Sequence, residues 1–255
     1  MRKLILIFSL LCFALYGQAQ IIRCSPAYNK VASEEGGGGS TLLNGLIAYY
    51  CLEESSGQLV DVINAYNTTS VAGLTYQQAG KVNYCILMDG ATSNATIGDN
   101  SNFDLQNFTL GGWMKTEAYY TPLFSNLINA GGGNYYGYGI NLSNGNPTVF
   151  LCNGESYEEA VAQEDYDIRD NTWHFIAGTY DHTTLKIYVD GVLQDDQNST
   201  SMDIGFTGAV VRIGYVDEAI TDGSLDEIFV YGRVLGQSGI DSLYNAGNGV
   251  TYPFE

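Results

Sequence analysis

The stretch Thr184-Leu185-Lys186-Ile187-Tyr188-Val189-Asp190-Gly191-Val192-Leu193 decides the fold class. Successive side chains of an extended strand point to opposite faces. Leu185, Ile187 and Val189 therefore share one face, and Lys186, Tyr188 and Asp190 share the other. Asp190-Gly191 tolerates the positive φ angles of a two-residue turn, after which Val192-Leu193 resumes the apolar pattern. This predicts a half-buried antiparallel strand that folds back on itself.

Working outward, strand signals recur at 46–52, 82–88, 94–97, 108–115, 137–142, 147–152, 172–180, 208–214 and 225–231. Turn residues punctuate them: Asp89-Gly90, Gly131-Gly132-Gly133-Asn134 and Asn144-Gly145-Asn146. A single helix is expected over 237–245, where Ile240, Leu243 and Tyr244 are spaced i, i+3, i+4. Ser238 is its candidate cap and Gly247 its stop. Without crossover helices a parallel βαβ sheet is excluded. The expected architecture is all-β: a two-sheet antiparallel β-sandwich with one short C-terminal helix.

Composition agrees with one large domain. Apolar residues make up 45% of the 255, enough for a sizeable core, and 31 Gly and 20 Tyr against 4 Pro suit many short strands joined by tight turns. Arg2 and Lys3, the apolar run Leu4 to Leu15, and Gly17-Gln18-Ala19 have the order of an export signal, so residues 1–19 are expected to be a signal peptide. Residues 20–43, with four consecutive glycines from Gly36, read as a flexible tether. The folded domain is expected over 44–255. The expected location is secreted or at the cell surface.

The net charge is −18, and loss of Arg2 and Lys3 would leave 8 basic against 28 acidic side chains. Such a surface repels nucleic acid and anionic membranes, so neither nucleic acid binding nor membrane insertion is expected. Cys24, Cys51, Cys85 and Cys152 remain once the leader is removed. They lack C-x-x-C spacing, and sequence does not select among their three possible pairings. Disulfides are chemically permitted by export.

Several motifs, in order, give a resemblance. Gly45-Leu46-Ile47-Ala48-Tyr49-Tyr50 precedes Glu53-Glu54-Ser55-Ser56-Gly57 and Asp61, and Met88-Asp89-Gly90 follows. Next come Phe108-Thr109-Leu110-Gly111-Gly112-Trp113-Met114-Lys115, Trp173 to Asp181, and Lys186 to Gly191. Gly223-Ser224-Leu225-Asp226-Glu227-Ile228-Phe229-Val230-Tyr231 and Leu243-Tyr244-Asn245-Ala246-Gly247 end the series. Over residues 44–249 the chain resembles the laminin G-like (pentraxin-like) jelly-roll domains of the concanavalin A-like lectin/glucanase superfamily. The resemblance implies a jelly-roll sandwich. It also implies a structural calcium near the first loop and the final strand, with Asp61, Asn64 and Asp226 as the matching ligand candidates.

Relatives in that superfamily include glucanases with an E-x-D-x-x-E strand. No such strand occurs here: Asp165-Tyr166-Asp167 puts two acids at strand spacing but no third Glu follows, and Asp226-Glu227 sends adjacent acids to opposite faces. The G-x-S-x-G, H-E-x-x-H and phosphate-loop motifs are also missing. His174 and His182 have no nucleophile motif nearby, and Trp113 and Trp173 are read as core. The expectation is thus a non-enzyme that binds carbohydrate or a cell-surface glycan or protein. A structural or adhesive protein-interaction module is the alternative, and a glycoside hydrolase the third reading. Ring stacking against a sugar needs exposed aromatics beside polar groups. Tyr119, Tyr120, Asn134, Tyr135, Tyr136 and Tyr138 are the candidate ligand contacts, with Asn129 and Asn141 at the same rim.

Overall fold

The computed structural model describes residues 41–163, 166–194, 197–250 and 252–254. The expected signal peptide, Cys24, most of the glycine-rich tether and Asp165 lie outside them. The described chain forms two large antiparallel sheets and one small one.

The first sheet contains β1 (Leu46–Tyr50), β3 (Thr75–Ala79), β4 (Tyr84–Asp89), β6 (Phe108–Lys115), β11 (His174–Tyr180), β12 (Thr184–Val189), β13 (Val192–Leu193), β14 (Asn198–Ser199) and β18 (Asp222–Tyr231). Its order is β13-β12-β11-β6-β18-β4-β3, with β1 joining β18 and β14 joining β12. The second sheet contains β2 (Ser70–Ala72), β5 (Asn94–Gly98), β7 (Thr121–Asn129), β8 (Tyr135–Ser143), β9 (Asn146–Asn153), β10 (Tyr157–Val161) and β15 (Val210–Ile213), in the order β10-β9-β8-β7-β15-β5-β2. A two-strand hairpin, β16 (Tyr215–Val216) and β17 (Ala219–Ile220), completes the set.

The Thr184–Leu193 stretch behaves as its pattern dictates. Val189 pairs with Val192 across Asp190 and Gly191, whose φ angles are 49° and 79°. Leu185, Ile187 and Val189 are fully buried. They join the main core with Leu110, Ile140, Val149, Ile176 and Val230, contributed by both inner faces.

The outer face of the first sheet is covered by α1 (Gln237–Tyr244) and the chain ends. Trp113 stacks on Tyr244 at 5.8 Å and meets Phe175 edge-on at 5.5 Å. Ile240, Leu243 and Leu42, the last from the turn Thr41–Leu43, pack into the same cluster. Both expected helix signals are corrected. The N-cap is Gly236, and Ser238 instead accepts a bond from the Ser242 hydroxyl through its carbonyl. At the other end, Asn245 takes the left-handed conformation two residues before Gly247 and donates its N–H to Asp241. Asparagine tolerates that conformation because its short polar side chain can bond locally, here with Nδ2 donating to the Gly249 carbonyl.

Among the described residues no helix is long and apolar enough to cross a membrane. Cys85 and Cys152 are free, buried thiols, and burial pushes each up to about 12.

Candidate functional site: a groove on the outer face of the second sheet

Strand register builds the site. On the outer face, Tyr157 of β10 lies beside Cys152 of β9, then Gly137 of β8 and Leu127 of β7. The next row runs Glu159, Phe150, Gly139, Ser125 and Arg212. Two glycines therefore occupy the centre of this face. A Cβ at Gly139 would lie 2.6 Å from the Phe150 ring, so the bare backbone is what lets that ring lie across β8. A Cβ at Gly137 would lie 1.8 Å from the Asn126 carbonyl, and its φ of 123° already excludes most side chains.

β9 is apolar on both faces. Val149 and Leu151 enter the main core, while Phe150 and Cys152 form a separate outer cluster with Leu127 and Val216, against which Tyr135 packs. A strand apolar on both sides must be covered on both sides. Val216 of the β16–β17 hairpin supplies part of that cover with the Tyr135 and Tyr157 rings, and the hairpin is anchored to β7 by a 2.7 Å bond from the Ser125 hydroxyl to the Tyr215 carbonyl.

The hairpin turns through Asp217 and Glu218, with φ of 43° and 71°. Two consecutive non-glycine residues in the left-handed region strain the backbone. The Asp217 carboxylate is held in place: Oδ2 accepts from the Tyr135 hydroxyl at 2.6 Å, and Oδ1 from Asn129 Nδ2 at 3.0 Å. That nitrogen also donates to the Tyr135 hydroxyl at 3.1 Å. The bond to Asp217 raises the Tyr135 phenol above its ordinary range, with burial and the carboxylate's charge adding to it.

Two hollows meet at this triad, and Leu127 and Asp217 line both. One, of about 140 Å³, is walled by Tyr120, Tyr135, Phe150 and Tyr157. The other, of about 300 Å³, is lined by Ser125, Asn129, Arg212, Tyr215, Asp217 and Glu218. Tyr157 stacks on Phe150 at 5.9 Å, leaves 55% of its surface exposed, and donates its hydroxyl to Glu159 at 2.7 Å.

The expected ligand contacts divide. Tyr120 and Tyr135 wall the groove, with Asn129 at its rim. Tyr119 is exposed nearby, its ring 3.5 Å from the Arg169 guanidinium. Asn134 sits in the exposed turn before β8, its carbonyl accepting from Ala130 N–H. Tyr136 and Tyr138 alternate to the other face. The Tyr136 ring lies against Gly154 and Gly205. Tyr138 is fully buried, stacked on Phe108 at 4.6 Å with its hydroxyl on the Phe103 carbonyl, so its side chain belongs to the core and cannot touch a ligand. Asn141 is buried beside Tyr120. Phe150, Tyr157, Arg212, Asp217 and Glu218 were not expected from sequence.

The calcium candidates lie away from this groove. Asp61 accepts four backbone N–H groups: Tyr49 and Ile63 on Oδ1, Asn64 and Tyr66 on Oδ2, all between 2.9 and 3.0 Å. Asn64 Nδ2 donates to the Ile47 carbonyl. Asp226 Oδ2 accepts from Lys81 and Val82, while its Oδ1 is buried with no hydrogen-bond partner. Burial pushes the Asp226 carboxyl well above its usual range. Both Asp61 oxygens are thus taken by backbone N–H groups, and among the described residues no group of three or more His, Cys, Asp or Glu side chains is arranged to hold a metal ion.

Comparison with known proteins places the fold. A family profile described as the concanavalin A-like lectin/glucanases superfamily matches residues 89–241, more than half of the chain. The chain belongs to this superfamily. No curated protein matches by sequence. Among solved structures, the binding domain of Paraclostridial Mosquitocidal Protein 1 is similar at a TM-score of 0.63 and 18% identity, over 81% of this chain and 53% of that one. The binding domain of Botulinum neurotoxin DC, in complex with rat synaptotagmin II, gives 0.61 and 15%, over 81% and 52%. Domain 4 of a GH43 extracellular arabinanase from Geobacillus stearothermophilus, in complex with arabinotriose, gives 0.61 and 16%, over 80% of this chain and 98% of that domain. The superfamily member described here thus spans about half the length of the toxin domains and nearly all of the arabinanase domain.

Proposed function

We propose that this protein is a non-catalytic carbohydrate-binding module, secreted or displayed at a cell surface, that holds a glycan in the groove of the second sheet. The observation carrying the reading is the set of aromatic walls, Tyr120, Tyr135 and Tyr157, around the Asn129–Tyr135–Asp217 triad. Aromatic faces stack on the C–H faces of sugars, and fixed carboxylate and amide groups bond their hydroxyls. Two structures of similar fold support this: one is described as a binding domain, and the other is an arabinanase domain in complex with arabinotriose. Asp217 in the groove and Glu159 on the same sheet face each accept a tyrosine hydroxyl, which suits holding a ligand more than transferring a proton.

A glycan array and polysaccharide pull-down on the full chain, with and without a chelator, test the reading. Retention of at least one glycan class is expected, without release of reducing sugar. Retention that disappears with the chelator would support a structural calcium. No retention by folded protein in either arm would overturn the reading in favour of a protein-interaction module.

A further inference from the structure

We propose that the groove selects uncharged glycans, two rings straddling Asp217, and rejects glycans bearing carboxylates. The inference rests on the glycan reading and adds the charge class and minimum length of the ligand. Length follows from the two hollows, one walled by aromatics and one polar, which meet at Asp217 and Leu127. The first suits a stacked ring, and the second offers hydrogen-bonding groups to its neighbour.

Charge selection follows from what those groups are. Asp217 lies at the junction, Glu218 lines the polar hollow, and Glu159 shares a cross-strand row with Phe150. All three side chains belong to exposed residues, within reach of a ligand. Carboxylates accept hydrogen bonds strongly and donate none. A sugar hydroxyl donates to them, whereas an incoming carboxylate can only be repelled. The Asp217 charge is already felt by its neighbours, since it contributes to raising both Tyr135 and Tyr120.

Arg212 is the one cationic side chain lining either hollow. Its guanidinium lies 4.8 Å from the Tyr215 ring centre, stacked on that ring. Against the two lining acids, Asp217 and Glu218, it leaves the hollows net negative, with Glu159 beside them on the same face. The overall charge of −18 adds a repulsion that salt screens beyond about 8 Å, while the groove acids act inside that distance.

The test is equilibrium binding of the full chain to neutral mono- and oligosaccharides (arabinan, β-glucan and galactan fragments) and to sialyllactose, at physiological salt. Neutral oligosaccharides should bind at least on the order of tenfold more tightly than the sialylated one, a gap worth about 1.4 kcal/mol. A neutral disaccharide should exceed its monosaccharide. Asp217→Asn and, on the exposed hairpin tip, Glu218→Gln should each narrow the neutral-to-sialylated gap. Sialyllactose binding as tightly as the neutral sugars, or a gap unchanged in both folded variants, overturns the inference and leaves the glycan reading standing. Binding of neither class overturns both.

Discussion

The Tyr135 hydroxyl donates a 2.6 Å hydrogen bond to Asp217, tying β8 to a hairpin tip 82 residues further along the chain. This contact joins the sheet that forms the groove's floor to the loop that forms its wall. Replacing Asp217 with Asn removes the charge while preserving the shape. The Tyr135 phenol should then fall toward its ordinary value, because the carboxylate's hydrogen bond is the main cause of its elevation. Tyrosine Cζ resonances followed by NMR across pH 8–12 would show it, and an unchanged Tyr135 titration would refute the contact.

Tyr157 and Tyr138 form a contrasting pair. Tyr157 is 55% exposed over Phe150, so Tyr157→Ala should change stability by less than about 1 kcal/mol and weaken glycan binding about tenfold. Tyr138 is buried in the core, so truncating it should cost about 3–5 kcal/mol. Denaturant melts and binding isotherms of the two variants separate wall from core.

Gly139→Ala tests the groove floor. The added methyl would lie 2.6 Å from the Phe150 ring and 2.9 Å from the Phe124 carbonyl. The ring must lift into the aromatic hollow, so binding should weaken and stability fall by about 1–3 kcal/mol. Wild-type affinity in this variant would show that Phe150 does not shape the site.

Stability should depend on pH through Glu53. Burial raises its carboxyl to about 7, above the unfolded value near 4.3. The folded state then binds the proton more tightly than the unfolded state. The corresponding stability is fully present below about pH 4.3 and lost as pH rises through 7. His174 acts in the same direction. Its Nδ1 lies 2.8 Å from Asp190, which raises it above its usual value, so its contribution is present below the unfolded pKa and lost as pH passes above its folded one. Melting temperatures from pH 5 to 8 should fall in the wild type and fall less in Glu53→Gln. Parallel curves would contradict this assignment.

Much of the fold was legible because alternation and turn chemistry are local. The Leu185, Ile187, Val189 face and the Asp190-Gly191 turn needed no tertiary knowledge. β7 was not legible. Pro122, Ser125 and Asn126 break its apolar pattern, and what makes it a strand is cover from the core on one face and the hairpin on the other. The same limit hid half of the site. Tyr120, Tyr135 and Asn129 stood out as aromatic and amide residues near a glycine-rich turn. Asp217 did not, because Asp217-Glu218 lacks the Asn-Gly signal of a tight hairpin and reaches Tyr135 only through the sheet. Strand alternation separates Tyr138 from the groove: two residues from Tyr136, it shares that residue's inward face and not the outward face of Tyr135.

In the proposed complex, ligand occupies the outer face of the second sheet. Hydrogen–deuterium exchange of the full chain, with and without a neutral oligosaccharide it retains, tests this most directly. New protection is expected at 119–121, 127–136, 150–158 and 215–219, with little change elsewhere. Protection centred on 82–89 and 222–226, with the groove unaltered, would contradict it.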